Sequence, residues 1–157
     1  MIVATISFSG CEEQILDDIG NLESSNINYI NVTISALADL HVVTDCEAKV
    51  EFGVGEVEIK IKMDKASGEN KIFYGTTNGY GDTPTYTHSF KVYREQPVNI
   101  YATVSGNVPE YLKDYSLTSA YEQYDWEYID ARGDFGDTVK IETELKLKAI
   151  PPDCEDY

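Results

Sequence analysis

The chain has 157 residues and is 42% hydrophobic, enough for one domain with a packed core and too apolar for a disordered chain. Twelve basic residues against 28 acidic ones give a net charge of −16, a field that repels nucleic acid and anionic membranes and attracts basic protein surfaces or cations. The charge is polarised: residues 1–48 carry −8 without a single Lys or Arg, 49–106 balance, 107–139 carry −6 and the rest −2.

The N-terminus opens on alternation. Ile2, Ala4, Ile6 and Phe8 fall on one face and Val3, Thr5 and Ser7 on the other, which predicts a strand. Ser9 with Glu12 then spells a capping box, and Ile15, Leu16, Ile19 and Leu22 form one helical stripe, so a short amphipathic helix is expected over 10–21. Alternation resumes through Ile30, Val32, Ile34 and Ala36 and continues to Leu40, Val42 and Val43. Val50, Phe52 and Val54 then occupy even positions, whereas Val57, Ile59, Ile61 and Met63 occupy odd ones. A strand cannot change parity without exposing its core face, so a bulge or tight turn is expected at Gly53, Val54 and Gly55.

Further along, 71–74 is a short strand, 76–85 is turn-rich, and two strands follow around Phe90 and around Ile100, split by Pro97. Asn107 and Pro109 predict a brief helix through Tyr115. Tyr124, Trp126 and Tyr128 alternate as a strand, with Asp125 and Glu127 on its other face. A turn at 133–137 precedes the cleanest alternation in the chain, Val139 to Ala149, which ends at Pro151 and Pro152. Short strands with regular turn signals argue an antiparallel β-sandwich or barrel-like domain with one or two short helices, α+β being the runner-up. The expected organisation is a single domain over 1–150 and an acidic tail over 151–157.

Chemistry-bearing motifs are sparse. Three cysteines, Cys11, Cys46 and Cys154, cannot all pair and show no metal-ligand spacing; free thiols are expected, although one disulfide is possible. Phe8, Ser9, Gly10 and Cys11 resemble a lipoprotein cleavage site but stand too close to Met1 for one, and no apolar run is long enough to span a membrane. The expected location is therefore soluble, inside a cell or as part of a particle. His41 and His88 both fall in strands without a nucleophile elbow, and no glycine pattern cradles phosphate. Asp125, Glu127, Asp130, Asp134 and Asp137 cluster as hard-cation ligands do, but not at EF-hand spacing. No cofactor, metal or catalytic residue is implied.

What remains is a surface. Tyr and Trp bury large area at small entropic cost, and carboxylates between them suit Arg and Lys on a partner. The candidate contact residues are Tyr80, Asp82 and Tyr86 in the glycine-rich loop, Tyr111 and Tyr115, then Tyr121, Glu122, Tyr124, Asp125, Glu127 and Asp130. Trp126 reads better as core. The expected function is a non-enzymatic acidic binding protein that engages a basic, nucleic-acid-binding protein surface as a nucleic-acid mimic, such as a phage or mobile-element inhibitor. The alternative is a virion, tail or appendage subunit that self-assembles as a homo-oligomer, and the third is a calcium- or carbohydrate-binding β module. None of the three requires direct nucleic-acid or membrane binding.

Overall fold

The computed structural model describes residues 26–154. The strand expected at 2–8, the helix expected at 10–21 and Cys11 lie outside the described residues, as do the acids among them.

The long alternation after Tyr29 forms one continuous strand, β1 (Tyr29–Asp45), whose even residues Ile30, Val32, Ile34, Ala36, Ala38 and Leu40 are fully buried. β2 (Val50–Gly53) returns antiparallel against its C-terminal part, pairing His41 with Gly53. β3 (Glu58–Lys65), β4 (Asn70–Thr76), β5 (Tyr86–Tyr93) and β6 (Val98–Val104) follow, then a 3-10 turn Glu110–Leu112, β7 (Ser116–Leu117), β8 (Ala120–Tyr124), a five-residue helix α1 (Trp126–Asp130) and β9 (Thr138–Ile150).

The strands form two sheets. In the first, β5 and β2 share one edge of β1, β9 lies parallel along the other, and β7 caps the far end of β9. The second runs β4, β3, β6, β8, antiparallel throughout. Ile59, Ile61, Met63 and Ile100 from the second sheet meet Phe90, Val92, Val139, Ile141, Leu145 and Leu147 from the first in one shared core. Burying each such side chain contributes roughly 1.5–3 kcal/mol, which is what holds the sheets face to face. The domain is a mostly antiparallel β-sandwich, as the alternation predicts.

Four expectations need correction. The parity switch at Gly53, Val54 and Gly55 is not a bulge within one strand: the chain leaves the first sheet at β2 and enters the second at β3, and the short β2 leaves Val50 and Phe52 exposed, Phe52 to 60%. Tyr124, Trp126 and Tyr128 do not share a strand face. β8 ends at Tyr124, the Asp125 carboxylate accepts the Tyr128 N–H at 2.9 Å as a helix N-cap, and Trp126 and Tyr128 belong to α1. Cys46 and Cys154 are joined in a disulfide, with Cα atoms 5.8 Å apart, which ties the chain beyond β9 to the turn after β1. The predicted brief helix after Pro109 is a single 3-10 turn whose cap position, held by Pro109, has no side-chain hydrogen bond.

Among the described residues no helix is long and apolar enough to cross a membrane.

Candidate functional site

Strand register defines two ends of the sandwich. At one end β1, β6 and β9 begin and β3 finishes, because Asn31 pairs with Thr138 and Lys65 with Val98. α1 and the turn that follows it cap this end, and Ile129 anchors the helix in the core.

The structure divides the sequence-predicted contact residues among several places. Tyr124, Asp125, Glu127 and Asp130 converge at the α1 end. Tyr121 stands instead on the outer face of the second sheet, where its hydroxyl donates to Asn99 at 3.0 Å, Asn99 donates to Asp64 at 2.9 Å, and the Tyr101 ring lies 4.8 Å away. Lys62 completes this face. It sits 2.9 Å from Asp64, whose hydrogen bond raises the ammonium above its usual range. Glu122 shares a register level with buried Ile100 and so faces the other way.

Tyr80, 79% exposed, and Asp82 belong to the loop at the opposite end. Tyr111, 63% exposed, is there too and lines a cleft with Asn78 and Gly79, while Tyr115 is half-buried against the core. Tyr86 turns inward. Its ring stacks on Phe73 at 4.8 Å and its hydroxyl donates to the Tyr74 carbonyl at 3.1 Å, so it closes the core. The histidines are not brought together: His41 lies 3.8 Å from Asp39 and 3.7 Å from Glu51, and His88 packs edge-on against Phe90.

The α1 end brings the tryptophan together with several acidic groups. Glu95, Pro97, Gln123, Asp125, Trp126 and Glu127 line a cleft of about 450 Å³. Trp126 stacks on half-exposed Phe135 at 6.0 Å, so one edge of the indole belongs to the core and the other to the cleft. Asp130, Asp134 and Asp137 are exposed beside it. Two carboxylates hold local structure as well, Asp125 capping α1 and Asp137 accepting the Asp134 N–H at 3.0 Å. Arg132, the nearby base, is laid over the Tyr128 ring at 3.3 Å and donates to the Tyr128 carbonyl. Among the described residues none of Glu95, Asp125, Glu127 or Asp130 makes an ion pair with a Lys or Arg. No group of three His, Cys, Asp or Glu side chains among them converges at metal-ligand geometry.

Glu95 is the cleft residue that sequence reasoning missed. It occupies a left-handed conformation, φ +66°, in the tight turn where Gln96 N–H donates to the Tyr93 carbonyl. Nothing in the sequence marks it, because its proximity to Trp126 arises only when β6 and β8 pair. For Trp126 a signal existed: Asp125 followed by Glu127 is N-cap chemistry, which argues against a continuing strand.

No protein-family model and no curated protein matches the chain.

Proposed function

We propose that the protein is a non-enzymatic binding domain whose acidic, tryptophan-bearing cleft at the α1 end receives a basic segment of a partner protein. One observation carries the reading: Glu95 stands beside Trp126 without an ion pair, at a backbone conformation where a glycine would be unstrained. Glu56 shares that conformation at φ +63°, so what points to binding at Glu95 is its place beside the indole. Lys or Arg entering the cleft would find Glu95, Asp125 and Glu127 for its charge and the indole for its apolar stem.

The finer reading as a nucleic-acid mimic has less support. Strand-borne carboxylates alternate with lysines, and several are neutralised: Lys62 with Asp64 at 2.9 Å, Lys148 with Glu51 at 2.7 Å. No unbroken row of phosphate-spaced charge results on those strands. The Cys46 and Cys154 disulfide favours an oxidising location, on a cell surface, outside the cell or on a particle, over the cytoplasm.

Trp126 is the only tryptophan in the chain, so its fluorescence reports on the cleft. The test titrates the protein with an Arg- and Lys-rich peptide across a salt series, comparing wild type with Glu95→Gln/Glu127→Gln and with a distant Glu47→Gln/Glu56→Gln control. Saturable, salt-sensitive quenching that weakens about tenfold in the cleft variant but not in the control is expected for charged pairs of this kind. Equal loss in both variants would reduce the effect to net charge and overturn the site.

A further inference from the structure

The end opposite α1 holds a second cleft, of about 580 Å³, a size that takes a small ligand. Gly55 and Glu56 from the crossing between β2 and β3, Asn78 and Gly79, and Pro109 with Tyr111 supply its sides. Each side is held in place. The loop between β4 and β5 is stitched to both sheets: the Gly81 carbonyl accepts the Leu40 N–H at 2.9 Å, the Thr83 N–H donates to the Ala38 carbonyl at 2.8 Å, and the Thr77 N–H donates to the Val57 carbonyl at 2.9 Å. The loop also lies so close to its neighbour that a Cβ on Gly55 would stand 2.8 Å from the Asn78 carbonyl oxygen. The Glu56 N–H donates to the Thr77 carbonyl at 2.9 Å, which holds Glu56 in its left-handed conformation. Tyr111 rides on the 3-10 turn, and the next residue, Leu112, is fully buried in the core. A cleft built this rigidly loses little entropy when a ligand enters.

The chemistry of the lining narrows the ligand. Tyr111, 63% exposed, offers an aromatic ring. Asn78 Oδ1 accepts the Tyr80 N–H at 2.8 Å and the Asp82 N–H at 3.1 Å, so the loop fixes the planar amide and turns its Nδ2 donor away from those two bonds. Glu56 contributes acceptor oxygens, and exposed Gly79 lets a ligand approach bare backbone. An apolar ligand would strip water from Asn78 and Glu56 without replacing their hydrogen bonds. Glu56 repels an anion, and a Lys or Arg head group would leave the Asn78 donor unpaired. A pyranose ring meets all three demands. Its neighbouring hydroxyls span an amide donor and a carboxylate acceptor, and its apolar C–H face lies on the tyrosine ring.

We infer that this cleft binds an uncharged sugar unit of a glycan, at a site separate from the peptide cleft beside Trp126. Tyr111 makes the ring contact, Asn78 donates and Glu56 accepts. Tyr80, 79% exposed, follows Gly79 on the same locked loop and is the residue that would meet a neighbouring sugar unit. Its backbone is fixed twice over: its N–H is held by Asn78, and its carbonyl lies where a Cβ on Gly53 would stand 1.9 Å away. An exposed aromatic on so constrained a backbone is an anchor that needs no rearrangement to bind.

The test displays the full chain to an array of neutral oligosaccharides built on glucose, galactose, mannose and N-acetylglucosamine, then titrates a retained one by calorimetry. Retention on at least one of these classes is expected. Tyr111→Ala and Asn78→Asp should each weaken binding at least about tenfold, the second because it keeps the acceptor that the loop needs and removes the donor. Tyr111→Phe keeps the ring and should stay within about twofold of wild type. Glu95→Gln/Glu127→Gln should leave sugar binding unchanged, so the two clefts stand or fall separately. Retention of no neutral glycan overturns the assignment, as does retention of sulfated or sialylated glycans alone. Binding that survives both Tyr111→Ala and Asn78→Asp overturns it too, and so does binding that Glu95→Gln/Glu127→Gln abolishes, which would move the sugar to the Trp126 cleft.

Discussion

The Lys65 ammonium donates a 2.6 Å hydrogen bond to the backbone carbonyl of Lys91, joining β3 in one sheet to β5 in the other. The residue is 6% exposed, and its charge is balanced by Glu69 at 3.0 Å and by the Tyr93 ring at 5.5 Å. A buried ammonium survives only with such partners. Lys65→Met keeps the aliphatic stem and removes the donor, and should cost about 2 kcal/mol in urea denaturation. A change within experimental error would mean that water replaces the ammonium without loss.

The disulfide between Cys46 and Cys154 spans 108 residues of sequence. On the chain-entropy account, closing a loop of that size stabilises the fold by up to about 4–5 kcal/mol. Reduction, or the double change Cys46→Ser/Cys154→Ser, should therefore lower the melting temperature by roughly 10 °C or more. A melting temperature that ignores reductant would show that the two thiols are not bonded in solution.

The two preceding relationships differ in how far the sequence announces them. β1, β3, β6 and β9 are legible because each buries one face, so residues such as Ile59, Ile61 and Met63 repeat with period two. The parallel pairing of β1 with β9 is not, since it joins Asn31 to Thr138 across more than a hundred residues and leaves no local mark. β2 misleads because its apolar Val50 and Phe52 stay exposed although Phe52 pairs with buried Val42. Cysteine count alone left the pairing of Cys46 open. The candidate site was half legible: Asp125 and Glu127 follow from charge and aromatic content, but Glu95 reaches them only through the pairing of β6 with β8.

Gly53 marks the closest approach of β2 to the loop carrying Tyr80. A Cβ there would stand 1.9 Å from the Tyr80 carbonyl oxygen, which no rotamer relieves. Gly53→Ala should cost about 3 kcal/mol and displace Tyr80. Gly79→Ala in the same loop meets nothing within 4 Å and should stay within about 0.5 kcal/mol of wild type. Equal effects from the two would show that the loop yields freely.

Glu95→Gly separates stability from binding. Glycine adopts the φ of +66° without a Cβ penalty, so the variant should gain about 1 kcal/mol in denaturation while losing affinity for basic peptide. Loss of both would place Glu95 among the structural contacts instead.

Asp39 sets the last expectation, the dependence of stability on pH. It lies on the outward side of β1 yet is only 4% exposed, and its Oδ1 has no hydrogen-bond partner among the described residues. Burial is the largest influence on its carboxyl and raises its pKa. Glu144 pushes the same way by charge and by a shared hydrogen bond, against the opposing pull of His41, 3.8 Å away, and of Lys146. With a folded-state pKa above the unfolded value of 3.8, the group is neutral in both states at lower pH and costs nothing there. As pH rises the unfolded chain releases its proton first, so stability falls across that window and the penalty is complete once the folded carboxyl has also ionised. Asp39→Asn removes the titration. Its advantage over wild type should be present at pH 7 and vanish below the unfolded pKa in urea denaturation series. An advantage that instead grew toward acid would mean that His41 and Lys146 outweigh burial and hold the carboxyl down.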